Sequence, residues 1–99
     1  MNHHPKSQAA GRAQTPSASR YLQQLCKHWS RKGKAEFDAS KGSVVFHNGN
    51  QISLKASSED LVISATIGKD GDIERWKTVI EEHLVRFAFR EEFKIDWGN

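Results

Sequence analysis

Cysteine, proline and long apolar runs are scarce in this chain of 99 residues. Cys26 is the single cysteine, so the chain cannot form an intramolecular disulfide or a zinc site built on cysteine pairs. No apolar run is long enough for a membrane-spanning helix or for the core of a signal peptide. We therefore expect a cytoplasmic protein that does not associate with a membrane.

Both prolines lie within the first sixteen residues, which are otherwise rich in small and polar side chains. This composition predicts a disordered N-terminal tail over residues 1–16 and one folded domain over residues 17–99. A domain of that size builds a shallow groove more easily than a deep catalytic cleft. A free amino terminus followed by His3 can chelate Cu²⁺ or Ni²⁺, although a histidine at this position often arises by chance.

Positive charge is concentrated in the first half of the chain. Residues 1–50 contain eight Lys and Arg against two acidic residues, whereas residues 51–99 contain seven against ten. A basic half can favour a polyanion such as nucleic acid. However, Arg31, Lys32 and Lys34 lie at the C-terminal end of a predicted helix, where positive charge is stabilising. No nucleic-acid-binding motif accompanies these residues, so we expect no nucleic-acid partner.

Two amphipathic helices are predicted, over residues 19–32 and 72–89, because apolar residues recur there at helical spacing. Gly33 would end the first helix, and Asp70 or Asp72 would cap the start of the second. Core positions are expected for the three tryptophans and the lone thiol, namely Trp29, Trp76, Trp97 and Cys26.

Between and after these helices, apolar and polar residues alternate in five short segments, which predicts five strands. Asn48-Gly49 is a strong signal for a hairpin between two of them. The resulting order, α-β-β-β-β-α-β, predicts a single α+β domain with a mainly antiparallel sheet and two helices on one face. The opposite face would be mildly apolar and suited to a partner, with Val45, Val62, Ser64 and Thr66.

Two sequence blocks resemble a bacterial family of small domains of unknown function. One runs from Ser19 to Trp29, and the other, H-L-x-R-F-A-F-R-E-E, runs from His83 to Glu92. Members of that family occur alone, or attached to or beside siderophore-interacting proteins. The resemblance implies a setting connected with iron and siderophores, with a siderophore-interacting protein as a candidate partner, and it implies no activity.

His83 draws attention because it lies on the apolar stripe of the second predicted helix. If both helices pack on one face of the sheet, His28 of the first helix could approach it. Two imidazoles with one carboxylate would suit iron, zinc or nickel. Since no third ligand can be named, we predict no metal or cofactor, and a satisfied core histidine is the simpler interpretation of His83.

Four further residues could bind an anion. Arg86 and Arg90 are four residues apart, so on a helix they would share one face and could hold a carboxylate, phosphate or hydroxamate-like oxygen anion. A solvated stripe is the simpler interpretation of this pair. Arg20 and Tyr21 begin the first helix, where an anion site could form. Tyr21 also suits a boundary position in the core, with its hydroxyl in water.

The sequence thus favours a non-enzymatic binding or accessory module. Its candidate ligand-binding residues are His28, His83, Arg86, Arg90, Tyr21 and Arg20. One alternative is a small enzyme in which His83 acts as an acid or base while Arg86 and Arg90 orient an anionic substrate. The other is an interaction module that forms a homodimer, or binds another protein, through the open face of the sheet. No catalytic motif favours the enzyme.

Overall fold

The computed structural model describes residues 7–98, which form six strands and two helices. Their bounds are β1 Gln8–Gln14, α1 Ala18–Trp29, β2 Gly33–Phe37, β3 Lys41–Phe46, β4 Gln51–Ala56, β5 Asp60–Thr66, α2 Ile73–Phe87 and β6 Asp96–Trp97. Neither helix is long and apolar enough to cross a membrane.

The strands form one antiparallel sheet in the order β2-β3-β4-β5-β1-β6. Both helices pack on the same face, because their apolar stripes join one core that includes the fully buried Leu22 of α1 and Leu84 of α2. Along β5, Leu61 and Ile63 point into that core while Val62 is exposed on the opposite face. The predicted single α+β domain, with helices on one face of an antiparallel sheet, is confirmed.

Strand β1 is the main difference from the predicted architecture. It lies between β5 and β6, and all seven of its residues pair with β5, from Gln8 opposite Thr66 to Gln14 opposite Asp60. The prediction of a disordered tail is therefore wrong for these seven residues. Residues 1–6 of the predicted tail, which include His3, lie outside the described part of the chain. Thr15 is buried, and its N–H donates to the carbonyl of Glu59 at 2.9 Å.

The pattern of β1 was hard to recognise because its inward-facing residues are small. Ala9, Gly11 and Ala13 alternate toward the core, so the period of two carries almost no hydrophobicity. A Cβ atom at Gly11 would lie 2.7 Å from the ring of Trp97 and 2.8 Å from the side chain of Ile95. The small side chains of β1 are thus what lets the C-terminal segment pack against it.

Two glycines were given roles from the sequence: Gly49 in a hairpin turn and Gly33 at the end of a helix. Gly49 has a φ of +92°, the one positive φ among the described residues, and it forms the hairpin that Asn48-Gly49 predicts. Gly33, by contrast, does not end a helix, since α1 ends at Trp29 and Gly33 begins β2. A Cβ atom at Gly33 would lie 2.6 Å from the carbonyl oxygen of Val45, so glycine is required there for close approach of two strands.

Helix α2 begins as expected and ends earlier than expected. The carboxylate of Asp72 accepts hydrogen bonds from the backbone N–H groups of Glu74 and Arg75, which confirms the predicted N-cap. The helix ends at Phe87, two residues before the predicted end. This early end affects one of the predicted site residues.

An aromatic cluster fills the core beneath the two helices. The indole rings of Trp29 and Trp76 are stacked with centroids 5.2 Å apart, and Phe46 meets each of them edge-on at 5.4 Å. The indole N–H of Trp76 donates to the carbonyl of Gln51 at 3.0 Å, so its polar atom is satisfied. The core positions predicted for both tryptophans are confirmed.

Trp97 and Cys26 were also expected in the core. Trp97 is half-buried, and its indole N–H donates to the carboxylate of Glu81 on α2. Cys26 is fully buried, and desolvation raises the pKa of its thiol to about 11. The thiol is therefore protonated at neutral pH and suited to packing.

Candidate functional site

The two helices bring His28 and His83 into contact. Their ring centroids are 5.3 Å apart with the rings tilted by 50°, as the apolar stripes of the helices suggested. His83 is half-buried against the ring of Trp29 at 5.0 Å, and its Nδ1 lies 2.8 Å from the carbonyl oxygen of Val79. Because a carbonyl can only accept, Nδ1 carries a proton, and in the neutral ring Nε2 keeps the lone pair.

His28 lines a surface groove, of about 580 Å³, at the end of α1. Its ring is exposed, and it meets the ring of Phe87 from α2 edge-on at 6.2 Å. The residues around this cavity, which we call the His28 groove, are Gln24, Lys27, His28, Arg31, Lys32 and Phe87. The lining thus combines three permanent cations with two rings and no carboxylate.

The cations of the His28 groove have no acidic partner. The two ion pairs found within residues 7–98 lie elsewhere and involve none of Lys27, Arg31 and Lys32. Arg86 of α2, which also acts electrostatically on His28, is likewise absent from both pairs. Within residues 7–98, none of these four cations is therefore neutralised by an ion pair with a carboxylate.

The pKa of His28 is lowered from its ordinary value. The largest cause is desolvation, and electrostatic repulsion from His83, Lys32, Arg31 and Arg86 adds to it. Each of these charges makes it harder to add a proton to the imidazole. An anion bound in the groove would act in the opposite direction and raise the pKa.

The negative ends of the two helix dipoles offset only part of this positive charge. His28 lies in the last turn of α1, and Phe87 is the last residue of α2, so the C-terminal ends of both helices approach the groove. Two helix C-termini together carry roughly −1 elementary charge. Since Lys27, Arg31, Lys32 and Arg86 supply four positive charges, most of that charge is available to a ligand.

A metal ion suits this arrangement poorly. Within the described residues, no group of three or more His, Cys, Asp or Glu side chains is placed to hold one. The pair of His28 and His83 therefore has no carboxylate to complete the iron, zinc or nickel site considered above. The surrounding cations also repel a metal ion.

The enzyme alternative requires a second catalytic group beside His83. His83 does not line the His28 groove, and in the part of the chain that the structure describes no hydrogen bond joins His28 or His83 to a carboxylate or hydroxyl. Acid–base catalysis usually needs such a partner to orient the imidazole. Among the described residues, neither imidazole is therefore oriented by a carboxylate or a hydroxyl.

Arg90 does not share a helix face with Arg86, so that prediction is wrong. Ala88 leaves the helical conformation with φ −95° and ψ 35°, and Arg90 comes after it. Its guanidinium lies 5.3 Å from the ring of Phe89, a side chain that is 76% exposed. The spacing of four residues had assumed a helix that has already ended at Phe87.

Tyr21 is part of a buried polar contact and does not reach the His28 groove. Its hydroxyl donates to the carboxylate of Glu91, which also accepts from the hydroxyl of Thr15 at 3.1 Å. The ring of Phe93 meets the ring of Tyr21 edge-on, with centroids 5.6 Å apart. Burial and then Glu91 raise the pKa of Tyr21. The expectation that this hydroxyl faces water is wrong, because it holds the segment after α2 against α1.

Arg20 is exposed about two turns before His28 on α1. It lines a second surface groove of about 740 Å³, which we call the Arg20 groove. Gln24, Lys27 and Ser58 also line this cavity, and none of its lining residues is acidic. No side-chain cap from Ser17 forms at the start of α1.

Sequence reasoning missed most of the groove lining. Lys27 was not considered, and Arg31 and Lys32 were assigned to the stabilisation of a helix end. A usable signal was present, because Gln24, Lys27, His28 and Arg31 recur at i, i+3, i+4 and i+7 and so share one polar face of a helix. The spacing along α1 could not indicate that Phe87 and Arg86 of α2 lie near this face.

The open face of the sheet is less apolar than expected. Val45 and Val62 are exposed there at 42% and 39%, and Ser64 is also exposed. Strand β1 places Arg12 directly opposite Val62, which adds a charge to the surface. This face therefore offers only a weak apolar surface to a protein partner.

Comparison with known proteins places the chain in a family. A family model described as "Uncharacterized protein conserved in bacteria (DUF2218)" matches residues 10–98. The chain belongs to this family. The DUF2218 match begins within β1 and reaches the end of the described residues, so it includes the strand that was predicted as tail. It confirms the resemblance to an uncharacterised bacterial family, and its description does not mention siderophores.

A solved structure supports the same fold. The NMR structure of PA4090 from Pseudomonas aeruginosa is similar with a TM-score of 0.73 and 26% sequence identity, covering 93% of this chain and 95% of that one. Among curated proteins, none shows significant similarity to this DUF2218 domain. The comparisons therefore agree on fold and family and leave the ligand to be argued from the groove.

Proposed function

We propose that this domain is a non-enzymatic binding module that holds an oxyanion, or the anionic part of a larger ligand, in the His28 groove. The observation that carries the proposal is the set of three lining cations, Lys27, Arg31 and Lys32, without a carboxylate partner. Guanidinium and ammonium groups donate several hydrogen bonds to carboxylate or phosphate oxygens. Unpaired cations in a groove are already arranged for such a ligand.

A setting in iron and siderophore handling is part of this proposal and rests on the family resemblance. Ferric complexes of catecholate siderophores combine negative charge with planar rings. The His28 groove offers complementary chemistry, because the rings of His28 and Phe87 lie beside its cations. A siderophore-interacting protein would be the natural partner of a module that held such a complex.

The anion site can be tested by titrating the isotopically labelled domain with sulfate and following its NMR spectrum. We expect the largest shifts at Lys27, His28, Arg31 and Lys32, and we expect Arg31→Gln to weaken the affinity roughly fivefold, equivalent to about 1 kcal/mol. Lys55→Gln is the matched control, since Lys55 is an exposed cation on the open face of the sheet. Shifts spread evenly over the basic residues of the surface would contradict a defined site.

A ferric catecholate complex in the same titration tests the siderophore setting. Paramagnetic broadening confined to the rim of the His28 groove would support it. Sulfate shifts at the groove without any effect of the ferric complex would remove the siderophore part and leave the anion site in place.

Anion affinity should depend on pH through His28. Its pKa in the free folded domain is below the unfolded value of about 6.5, so the imidazole becomes charged only as the pH falls through that lower value. Sulfate keeps its charge over this range, and its affinity should therefore rise as the solution is acidified from neutral pH. His28→Gln should flatten this rise, whereas His47→Gln, at an exposed histidine outside the groove, should not.

The same shift has the opposite effect on the stability of the ligand-free domain. A depressed histidine pKa contributes stability that is present above about pH 6.5 and is lost as the pH falls through the folded-state pKa. Sulfate should offset this loss in thermal unfolding of the unmodified domain. A sulfate affinity that stayed constant over this range in the unmodified domain would contradict a role for the His28 imidazole.

A further inference from the structure

The basic surface of α1 extends beyond the His28 groove. Gln24 and Lys27 line both this groove and the Arg20 groove, so the two cavities are neighbours that share one wall. Arg20, Gln24 and Lys27 recur at i, i+4 and i+7, which places them along one side of α1, and Arg31 follows in the turn after the helix ends at Trp29. The helical rise from Arg20 to Lys27 is about 10 Å, so the cations form a line instead of a single point.

This line carries no opposing charge. The first 35 residues contain seven Lys and Arg and no Asp or Glu, the first acidic residue being Glu36. Neither Arg20 nor Lys27 takes part in an ion pair among residues 7–98. A line of unpaired cations of this length exceeds what one small oxyanion can neutralise.

We infer that the two grooves together bind a single-stranded nucleic acid. This inference rests on the proposed function, since the anion site of the His28 groove would hold one phosphate of the chain. Arg20 and Lys27 would contact further phosphates, with Gln24 and Ser58 as neutral donors beside them. At the other end, the rings of His28 and Phe87 offer a surface on which a base can stack.

The lining distinguishes this ligand from an acidic peptide. Protein partners rely on buried apolar and aromatic anchors at the centre of the contact. In the Arg20 groove the apolar lining consists of Pro16 and Ala56, and the remaining lining is polar or basic. A phosphodiester chain needs no such anchors, because its affinity comes mainly from neutralised phosphates. No nucleic-acid motif was visible in the sequence, and the row of unpaired cations along two neighbouring grooves is the observation that points to this ligand.

The test is the binding of a fluorescently labelled oligouridylate of about 8 nucleotides to the intact domain, followed by anisotropy at increasing salt. Five cations, Arg20 and Arg86 together with the three of the His28 groove, predict a slope of log affinity against log salt of about −3.5. Arg20→Gln should weaken binding several-fold and reduce the slope by about 0.7. Lys55→Gln should change neither quantity, and Arg20→Gln should leave the sulfate shifts at His28 unchanged.

The outcomes separate this inference from the proposed function. Sulfate shifts at the His28 groove without oligonucleotide binding would overturn the inference and leave the anion site intact. Loss of both would overturn both. Oligonucleotide binding that Arg20→Gln does not weaken, or tighter binding of a duplex or of an acidic peptide of equal charge, would also overturn the assignment of a single strand.

Discussion

Replacing Ala13 with aspartate is expected to destabilise the domain by about 3–5 kcal/mol, enough to unfold a small domain at room temperature. Ala13 is 1% exposed and lies on the core side of β1, opposite Leu61 of β5. A carboxylate there would be taken out of water into an apolar core without a cation or hydrogen-bond donor provided for it. Losing the alanine methyl group removes little buried apolar area, so the large loss of stability comes from burying the aspartate charge.

The matched control is Ala10→Asp, the same change three residues earlier on the exposed side of the same strand. It should cost no more than about 1 kcal/mol, which is the range of strand propensities. Urea unfolding followed by tryptophan fluorescence and circular dichroism measures both variants. Small and equal effects would show that these residues are a tail, as their composition predicts, and not an interior strand of the sheet.

The second large effect is expected from Trp29→Ala, at about 3–5 kcal/mol. Trp29 is 3% exposed and contacts three other rings, those of Trp76, Phe46 and His83. Its removal would leave a cavity beneath α1 and α2 that the stacked partner cannot fill. The cost therefore combines lost burial with lost aromatic contacts.

Phe89→Ala is the control for an aromatic residue outside the core. Its ring is 76% exposed, so the substitution should change the free energy of unfolding by no more than about 0.5 kcal/mol. Trp29→Ala should also loosen His83, whose ring rests on Trp29, and so broaden the NMR signals of the His28 groove. Equal losses of stability in the two variants would contradict the placement of both rings.

The two helices and five of the six strands could be predicted because their residues are apolar at regular intervals. Leu22, Leu25 and Trp29 define the buried side of α1 without reference to the rest of the chain, and all three are buried. The contact of His28 with His83 also followed, since two stripes packed on one face must bring their neighbouring residues together. Periodicity is a local property, and local properties can be read along a chain.

Two errors share one physical cause. Strand β1 has small inward residues, so its stability comes from hydrogen bonds to β5 and from Trp97 and Ile95 packing over Gly11. Arg90 was placed by helical spacing, but the segment after Phe87 turns away from the helix, and Tyr21 binds Glu91 within it. The conformations of β1 and of the segment after Phe87 both depend on contacts with residues distant in the chain. Such contacts produce no periodic pattern in the sequence of the segment itself.

The single cysteine thus excluded an intramolecular disulfide and paired-cysteine zinc sites, and the lack of long apolar runs argued against a membrane helix. The spacing of apolar residues by itself determined an α+β domain with two helices on one face. Tertiary structure alone decided that residues 8–14 lie inside the sheet, that Arg90 lies beyond the end of α2 while Tyr21 binds Glu91, and that Lys27, Arg31 and Lys32 line a groove with Phe87. The reason is that a charge on a helix has the same sequence pattern whether it faces open water or a second helix. Only the packing of α1 against α2 turns a solvated helix end into a candidate anion site.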